Sequence, residues 1–176
     1  MMPRRRDDQA VLLADLVPPL AASDWARHCR VDALALDSRE VEPGALWIAL
    51  QGRREHALDF LDEARARGAV AVLAEPAGAW DRARIGRAGD RPPVVALPGL
   101  RREAGEIAAR FFGQPAMTMR VVGVTGTNGK TSVAHFLAQA LSTRVPTAVL
   151  GTVGNGFPGR LSPATHTTPD ALQLHG

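Results

Sequence analysis

Val121-Val-Gly-Val-Thr-Gly-Thr-Asn-Gly-Lys-Thr-Ser-Val-Ala-His-Phe-Leu-Ala-Gln-Ala-Leu141 reads as a buried strand, a glycine-rich turn and an amphipathic helix. Val121, Val122 and Val124 form a short β-branched apolar run, the pattern of a strand buried on both faces of a parallel sheet. Gly126-Thr-Asn-Gly129 interrupts it. From Lys130 a helical period places Val133, Phe136, Leu137, Ala140 and Leu141 on one face. Glycines let successive backbone N–H groups turn toward a phosphate, and a helix N-terminus adds partial positive charge at the same place. Lys130 would reach the β- and γ-phosphates of a nucleotide, and the Thr131 hydroxyl would sit on Mg2+. The strict G-x-x-x-x-G-K-[ST] spacing requires glycine at position 124, where valine stands, so what remains is G-x-x-G-K-T from Gly126 to Thr131. Lys130 is the only lysine in the chain, and the other 20 of its 21 basic residues are arginine. A chain that otherwise uses arginine throughout has lysine where a phosphate loop needs a compact charge.

Working outward, residues 107–169 contain no Asp or Glu. The loop segment is thus free of anionic repulsion, and it lacks an acidic Mg2+ ligand of its own. That argues against a complete small phosphotransferase. The 176 residues, 45% hydrophobic and 22% charged, fit a globular chain of one or two domains. The formal charge of +3, with acids interspersed among the arginines and only 5% aromatics, argues against a nucleic-acid binder. A single cysteine, Cys29, excludes an internal disulfide and a cysteine metal cage. Arg4-Arg5-Arg6 is followed by Asp7-Asp8-Gln9 rather than an apolar run. Neither a signal peptide nor a membrane insertion is expected, and a cytoplasmic location fits.

Along the chain, residues 9–20 suggest a short helix ended by Pro18-Pro19. Ala33–Arg39 reads as a strand running into a polar turn, and strands are expected at Ala45–Leu50, Ala69–Ala74 and Val94–Leu97, with a helix from His56 to Arg67 stopped by Gly68. The Gly/Pro/Arg-rich stretch 76–93 reads as a loop, and Leu100–Phe112 as a helix leading to the phosphate-loop strand. Pro146–Leu150 would complete a βαβ crossover. The expected fold class is α/β: a small α/β domain over residues 1–99, then the start of a P-loop, Rossmann-like parallel-sheet domain over 100–176. One βαβ unit cannot cover both faces of a parallel sheet, so the chain is expected to be part of a longer protein. Trp25, Trp47 and Trp80 are expected as packing residues, and His28, Cys29 and His56 show no metal-ligand spacing.

Taken together, these motifs resemble the Mur ligase family, the ATP-dependent amide ligases of peptidoglycan precursor synthesis. Thr125-Gly-Thr-Asn-Gly-Lys-Thr131 is similar to that family's ATP loop. Leu36-Asp-Ser-Arg39 with Val41, Pro43-Gly44, Leu46-Trp47, Ala49 and Gly52 looks like its uridine-nucleotide domain. Gly151-Thr-Val-Gly-Asn155 and His166-Thr-Thr-Pro-Asp170 resemble most the branch that adds the third amino acid of the peptide stem. The resemblance implies that Gly126, Thr127, Asn128, Gly129, Lys130, Thr131 and Ser132 hold ATP, with Thr131 at Mg2+ and Lys130 serving catalysis. It implies that Leu36 and Ser38 contact the uridine part of the substrate, and that Thr167 and Thr168, with His166 beside them, contact its muramoyl-dipeptide part. The implied partners are UDP-N-acetylmuramoyl-L-alanyl-D-glutamate and an amino acid such as meso-diaminopimelate. The chain departs from the family in two ways. Arg53-Arg-Glu-His-Ala57 stands where an Asp-Gly loop is common, and with a single lysine the family's carbamylated lysine has no counterpart. The alternatives are a non-catalytic nucleotide or UDP-sugar binding module, or another Mur-type amide ligase.

Overall fold

The structure is a computed structural model that describes residues 10–162. Contacts divide it into two compact units, one ending at Met117 and one beginning at Thr118.

The first unit opens with a two-residue strand, β1 (Val11–Leu12), and a single helical turn, α1 (Leu13–Leu16). Pro18 and Pro19 do end this turn, but they also open a 3-10 turn of their own over Pro18–Leu20. Helix α2 (Asp24–His28) and strand β2 (Arg30–Val31) follow, and β2 pairs antiparallel with β1, Val11 opposite Val31. The body of the unit is a four-stranded parallel sheet of β3 (Ala33–Ala35), β4 (Ala45–Ala49), β5 (Ala71–Ala74) and β6 (Val94–Ala96), in that spatial order. The central strands read Ala-Leu-Trp-Ile-Ala and Ala-Val-Leu-Ala, and every residue of both is buried, as the continuous apolar runs require. Registry is in step across the sheet, with Trp47 level with Ala35 and Val72.

The expected helix from His56 begins as a 3-10 turn over Ala57–Phe60 and becomes α-helical as α3 (Leu61–Ala66). Gly44 turns the chain into β4 at φ +88°, and a Cβ there would lie 2.4 Å from Asp32 Oδ2. Only glycine fits that corner. Within the expected loop lies a short helix, α4 (Arg82–Gly86), whose first turn is capped by Asp81 Oδ1 accepting from the Arg84 N–H at 2.7 Å.

Helix α5 (Leu100–Phe111), which the sequence reading places with the phosphate loop, packs within the first unit. Its buried residues Leu100, Ala104, Ile107, Ala108 and Phe111 recur at helical spacing and join the core that contains Leu13, Leu16, Leu34 and Leu46. Arg110 adds a tie, donating from Nη1 to the Leu16 carbonyl at 3.0 Å. Burial of each large side chain contributes about 2 kcal/mol, so this stripe fixes α5 on the first unit.

The second unit is sparser. It contains α6 (Lys130–Ser142) and an antiparallel meander of β7 (Val149–Gly151), β8 (Gly154–Phe157) and β9 (Arg160–Ser162). Two expectations are corrected here. Residues 121–124 form no strand, and Val121 is 79% exposed; Val149–Gly151 pairs antiparallel with β8 rather than completing a parallel crossover. The apolar face of α6 is also open, with Phe136 69% exposed and only Ala138 buried. The two findings share one cause. A strand buried on both faces exists only when neighbours hydrogen-bond to its edges, and no described residue pairs with 121–124. Without that sheet the apolar face of α6 has no surface to cover.

Candidate functional site

Two places bring chemistry-bearing residues together, one in each unit. In the second unit, Gly126 (φ 147°) and Gly129 (φ 76°) shape the turn, and Gly129 is the residue from which α6 starts. The helix has no side-chain cap at its N-terminus. The first intrahelical bond runs from the Val133 N–H to the Gly129 carbonyl at 2.9 Å, so the amides of Lys130, Thr131 and Ser132 precede the helical ladder. A 13-residue helix with these donors uncapped, no acidic residue in its first turn and a lysine at its first position has the donor set of an anion cradle.

Lys130 Nζ curls back over the loop, donating to the Gly126 carbonyl and, at 3.3 Å, to that of Thr127. Its charge is thereby held above the turn. Thr131 Oγ1 lies 3.5 Å from Thr152 Oγ1 in the turn after β7, a hydroxyl pair that sequence reading did not connect. The Asn155 side-chain carbonyl accepts from the Gly151 N–H at 3.1 Å and braces that turn. These groups can bind and orient a polyphosphate. They include no carboxylate, thiol or imidazole to move a proton, so their chemistry is positioning and electrostatic. Among the described residues no cluster of His, Cys, Asp or Glu could hold a metal ion. A hard cation here would take hydroxyl oxygen from Thr131 and its remaining oxygens from the nucleotide, which fits Mg2+ chemistry.

In the first unit, the carboxyl ends of adjacent parallel strands place two loops side by side. After β3 come Leu36, half-buried, and Ser38, which is 7% exposed at the start of a 3-10 turn over Ser38–Glu40. The Ser38 hydroxyl donates to Glu63 Oε2 on α3 at 2.8 Å. Asp37 accepts the Arg39 backbone N–H and both arms of its guanidinium, at 2.9 Å and 2.5 Å from the side chain. The hydrogen bond from the Arg39 side chain is the main reason the Asp37 carboxyl sits below its ordinary pKa, despite some burial acting the other way.

After β4 comes the turn from Gln51 to His56, closed by the Gly52 N–H donating to the Glu55 carbonyl at 2.9 Å. It presents Arg53 and Arg54 to solvent. His56 is 4% exposed and anchors this loop. Its Nδ1 accepts from the Leu58 N–H at 3.0 Å, and its Nε2 bonds the Glu75 carbonyl, beyond β5, at 2.7 Å. An acceptor at Nδ1 and a donor at Nε2 define one neutral tautomer. Asp59 Oδ2 returns the cap by accepting the His56 N–H at 3.1 Å, while its Oδ1 takes the Trp80 indole N–H at 2.7 Å. The guanidinium of Arg84 stacks 4.1 Å from the Trp80 ring centroid. Sequence reading missed the role of His56, although His-x-x-Asp has the spacing of a capping box. His166, Thr167 and Thr168 lie outside the described residues. Among the described residues no helix is long and apolar enough to cross a membrane.

The family profile described as the Mur ligase middle domain matches residues 124–176. The chain is 52% identical over 150 residues to the UDP-N-acetylmuramoyl-L-alanyl-D-glutamate--2,6-diaminopimelate ligase of Alkalilimnicola ehrlichii, covering 82% of this chain and 30% of that one. It is 42% identical over 172 residues to the ligase of the same name from Xanthomonas campestris pv. campestris, covering 95% and 32%. A solved structure of a ligase of that name superposes with a TM-score of 0.68 at 30% identity, covering 94% of this chain and 32% of the other. The chain thus spans about a third of the length of the relatives it matches. Residues 124–176 thus match the Mur ligase middle domain, and most of the chain is similar to about a third of these Mur ligases.

Proposed function

We propose that this chain supplies the uridine-nucleotide and phosphate-loop portions of a cytoplasmic ligase that joins meso-diaminopimelate to UDP-N-acetylmuramoyl-L-alanyl-D-glutamate. The observation that carries this reading is the uncapped start of α6 with the sole lysine of the chain folded over its loop. The names of the relatives support the choice of substrate. In this reading the unit ending at Met117, α5 included, holds the UDP-sugar, and the unit beginning at Thr118 starts the ATP-binding domain. ATP, when bound, would supply the γ-phosphoryl group that activates the substrate carboxylate.

The chain's own residues do the rest by placement. The amides from Gly129 to Ser132, with Gly126, Thr127 and Asn128 shaping the turn, hold the phosphates. Lys130 would offset the charge that gathers on them, and the Thr131 hydroxyl would help to hold Mg2+. Leu36 and Ser38 take the uridine, with Arg53 and Arg54 on the neighbouring loop where they attract its pyrophosphate. Thr167 and Thr168, with His166 beside them, meet the dipeptide part.

Calorimetric titration of the purified chain with UDP-N-acetylmuramoyl-L-alanyl-D-glutamate tests this. Saturable binding that weakens with Ser38→Ala supports the reading; a folded chain with no uptake of the ligand refutes it. The acid-free segment 107–169 favours one second reading, a module that binds nucleotide without turning it over. Nucleotide affinity lost in Lys130→Ala, together with no affinity for the UDP-sugar, would select it.

A further inference from the structure

The Ser38 hydroxyl has one proton, and its partner is fixed. Oγ donates to Glu63 Oε2 at 2.8 Å, while the other oxygen of that carboxylate accepts from Arg67 Nε at 3.3 Å. Glu63 stands in the first turn of α3, a helix held to the core by Leu61 and Ala64, so its oxygens are anchored by secondary structure. A carboxylate oxygen only accepts, so the direction of the bond is set. Ser38 Oγ therefore keeps lone pairs and no further proton. It sits at the carboxyl end of β3, in a residue otherwise buried.

We infer that Glu63 is a positioning residue that fixes Ser38 as a hydrogen-bond acceptor, so that the site selects a base offering an N–H donor at its ring edge. The inference rests on the uridine reading above and deepens it. Uracil has a donor at N3 (flanked by two carbonyls), whereas cytosine has an acceptor there. A serine free to rotate would serve either base, because its hydroxyl both donates and accepts. A serine whose proton is committed to Glu63 opposes its lone pair to that of cytosine. Selection between partners by an unfavourable contact is the general route to discrimination when shape differs little.

The experiment compares UDP with CDP by calorimetry on the purified chain, then on Glu63→Ala, Glu63→Gln and Ser38→Ala. One hydrogen bond gained or opposed corresponds to a wild-type preference for UDP of about tenfold. Glu63→Ala is expected to bring the two ligands within about threefold of each other, as is Ser38→Ala. Glu63→Gln has one acceptor oxygen for two donors, Ser38 and Arg67, and is expected to fall between the wild type and Glu63→Ala. UDP methylated at N3 provides a check on the wild-type protein that needs no folded variant, with an expected loss of about tenfold or more. A wild-type chain that binds neither UDP nor CDP refutes the uridine reading itself. A wild-type preference that survives Glu63→Ala, or full affinity for the N3-methylated ligand, overturns the role of Glu63 alone. Equal loss of both ligands in Glu63→Ala, with the ratio unchanged, marks a structural contact and also overturns it.

Discussion

Removing the imidazole of His56 should unlatch the loop after β4 from the sheet. His56→Ala deletes two hydrogen bonds at a residue only 4% exposed. The bond from the Leu58 N–H is an N-terminal cap, worth about 1 kcal/mol. The Glu75 carbonyl loses its Nε2 partner beneath the loop, and a buried acceptor left without one costs about 1–3 kcal/mol. The sum is about 2–4 kcal/mol, a large share of the stability of a domain of this size. With a urea slope of about 1.5 kcal/mol/M, the unfolding midpoint falls by about 1–3 M. Tryptophan fluorescence is a clean reporter, because Trp25, Trp47 and Trp80 all belong to the first unit. His56→Asn provides the control. Its side-chain oxygen can again cap the Leu58 N–H, so it should recover about 1 kcal/mol while leaving Glu75 unpartnered. A loss below about 1 kcal/mol in His56→Ala, or an Asn variant no better than the Ala variant, would refute the two-bond account.

Other outcomes follow from the same geometry. Lys130→Ala should weaken ADP binding by about 30-fold or more, since it removes a charged donor from the phosphate site; unchanged affinity by calorimetry would show that the loop is not the nucleotide site. Asp37 is held below its ordinary pKa by Arg39, so its contribution to stability is complete above the usual carboxylate range and is lost as pH falls through the lower folded value. Asp37→Asn should therefore flatten the acid limb of a stability–pH curve below about pH 4, and an unaltered limb would contradict the pairing. The Trp47 indole N–H is fully buried and has no partner among the described residues. In Trp47→Phe, relief of about 1–3 kcal/mol for that donor should offset most of the lost packing and leave stability within about 1 kcal/mol, whereas Trp47→Ala should cost about 3–5 kcal/mol by chemical denaturation.

The parallel sheet of the first unit was legible because its central strands are continuous apolar runs, and α5 because its large apolar residues recur at helical spacing. What escaped was either too short to show a period or specified by distant residues. Strands β1 and β2 have two residues each, and α2 and α4 have five. Asp81 was a usable start signal for α4, outweighed by the Gly/Pro/Arg composition around it. The valines at 121, 122 and 124 carry the composition of a central strand, but composition is local and strand pairing is not. The same distinction runs through the sites. The candidate phosphate loop is one contiguous motif, so the proposal for it could be drawn from the sequence alone. The partner that orients Ser38 lies 25 residues further on, and the carbonyl that fixes His56 lies 19 residues further on, so neither could be found without the fold.

The solitary Lys130 also makes the chain chemically addressable. Apart from the α-amino group, amine-directed reagents have one target in the whole sequence, and it sits on the phosphate loop. Reductive methylation with carbon-13 formaldehyde would place an isotopic methyl label at that single side chain. Its resonance would report directly on the carbonyls of Gly126 and Thr127 that the ammonium now touches. A nucleotide that draws the amine away from them would move the Lys130 peak, while that of the methylated α-amino group stays as a reference. Acylating reagents would read the same exchange as a change in labelling rate, so the composition of this chain makes its phosphate loop its own spectroscopic probe.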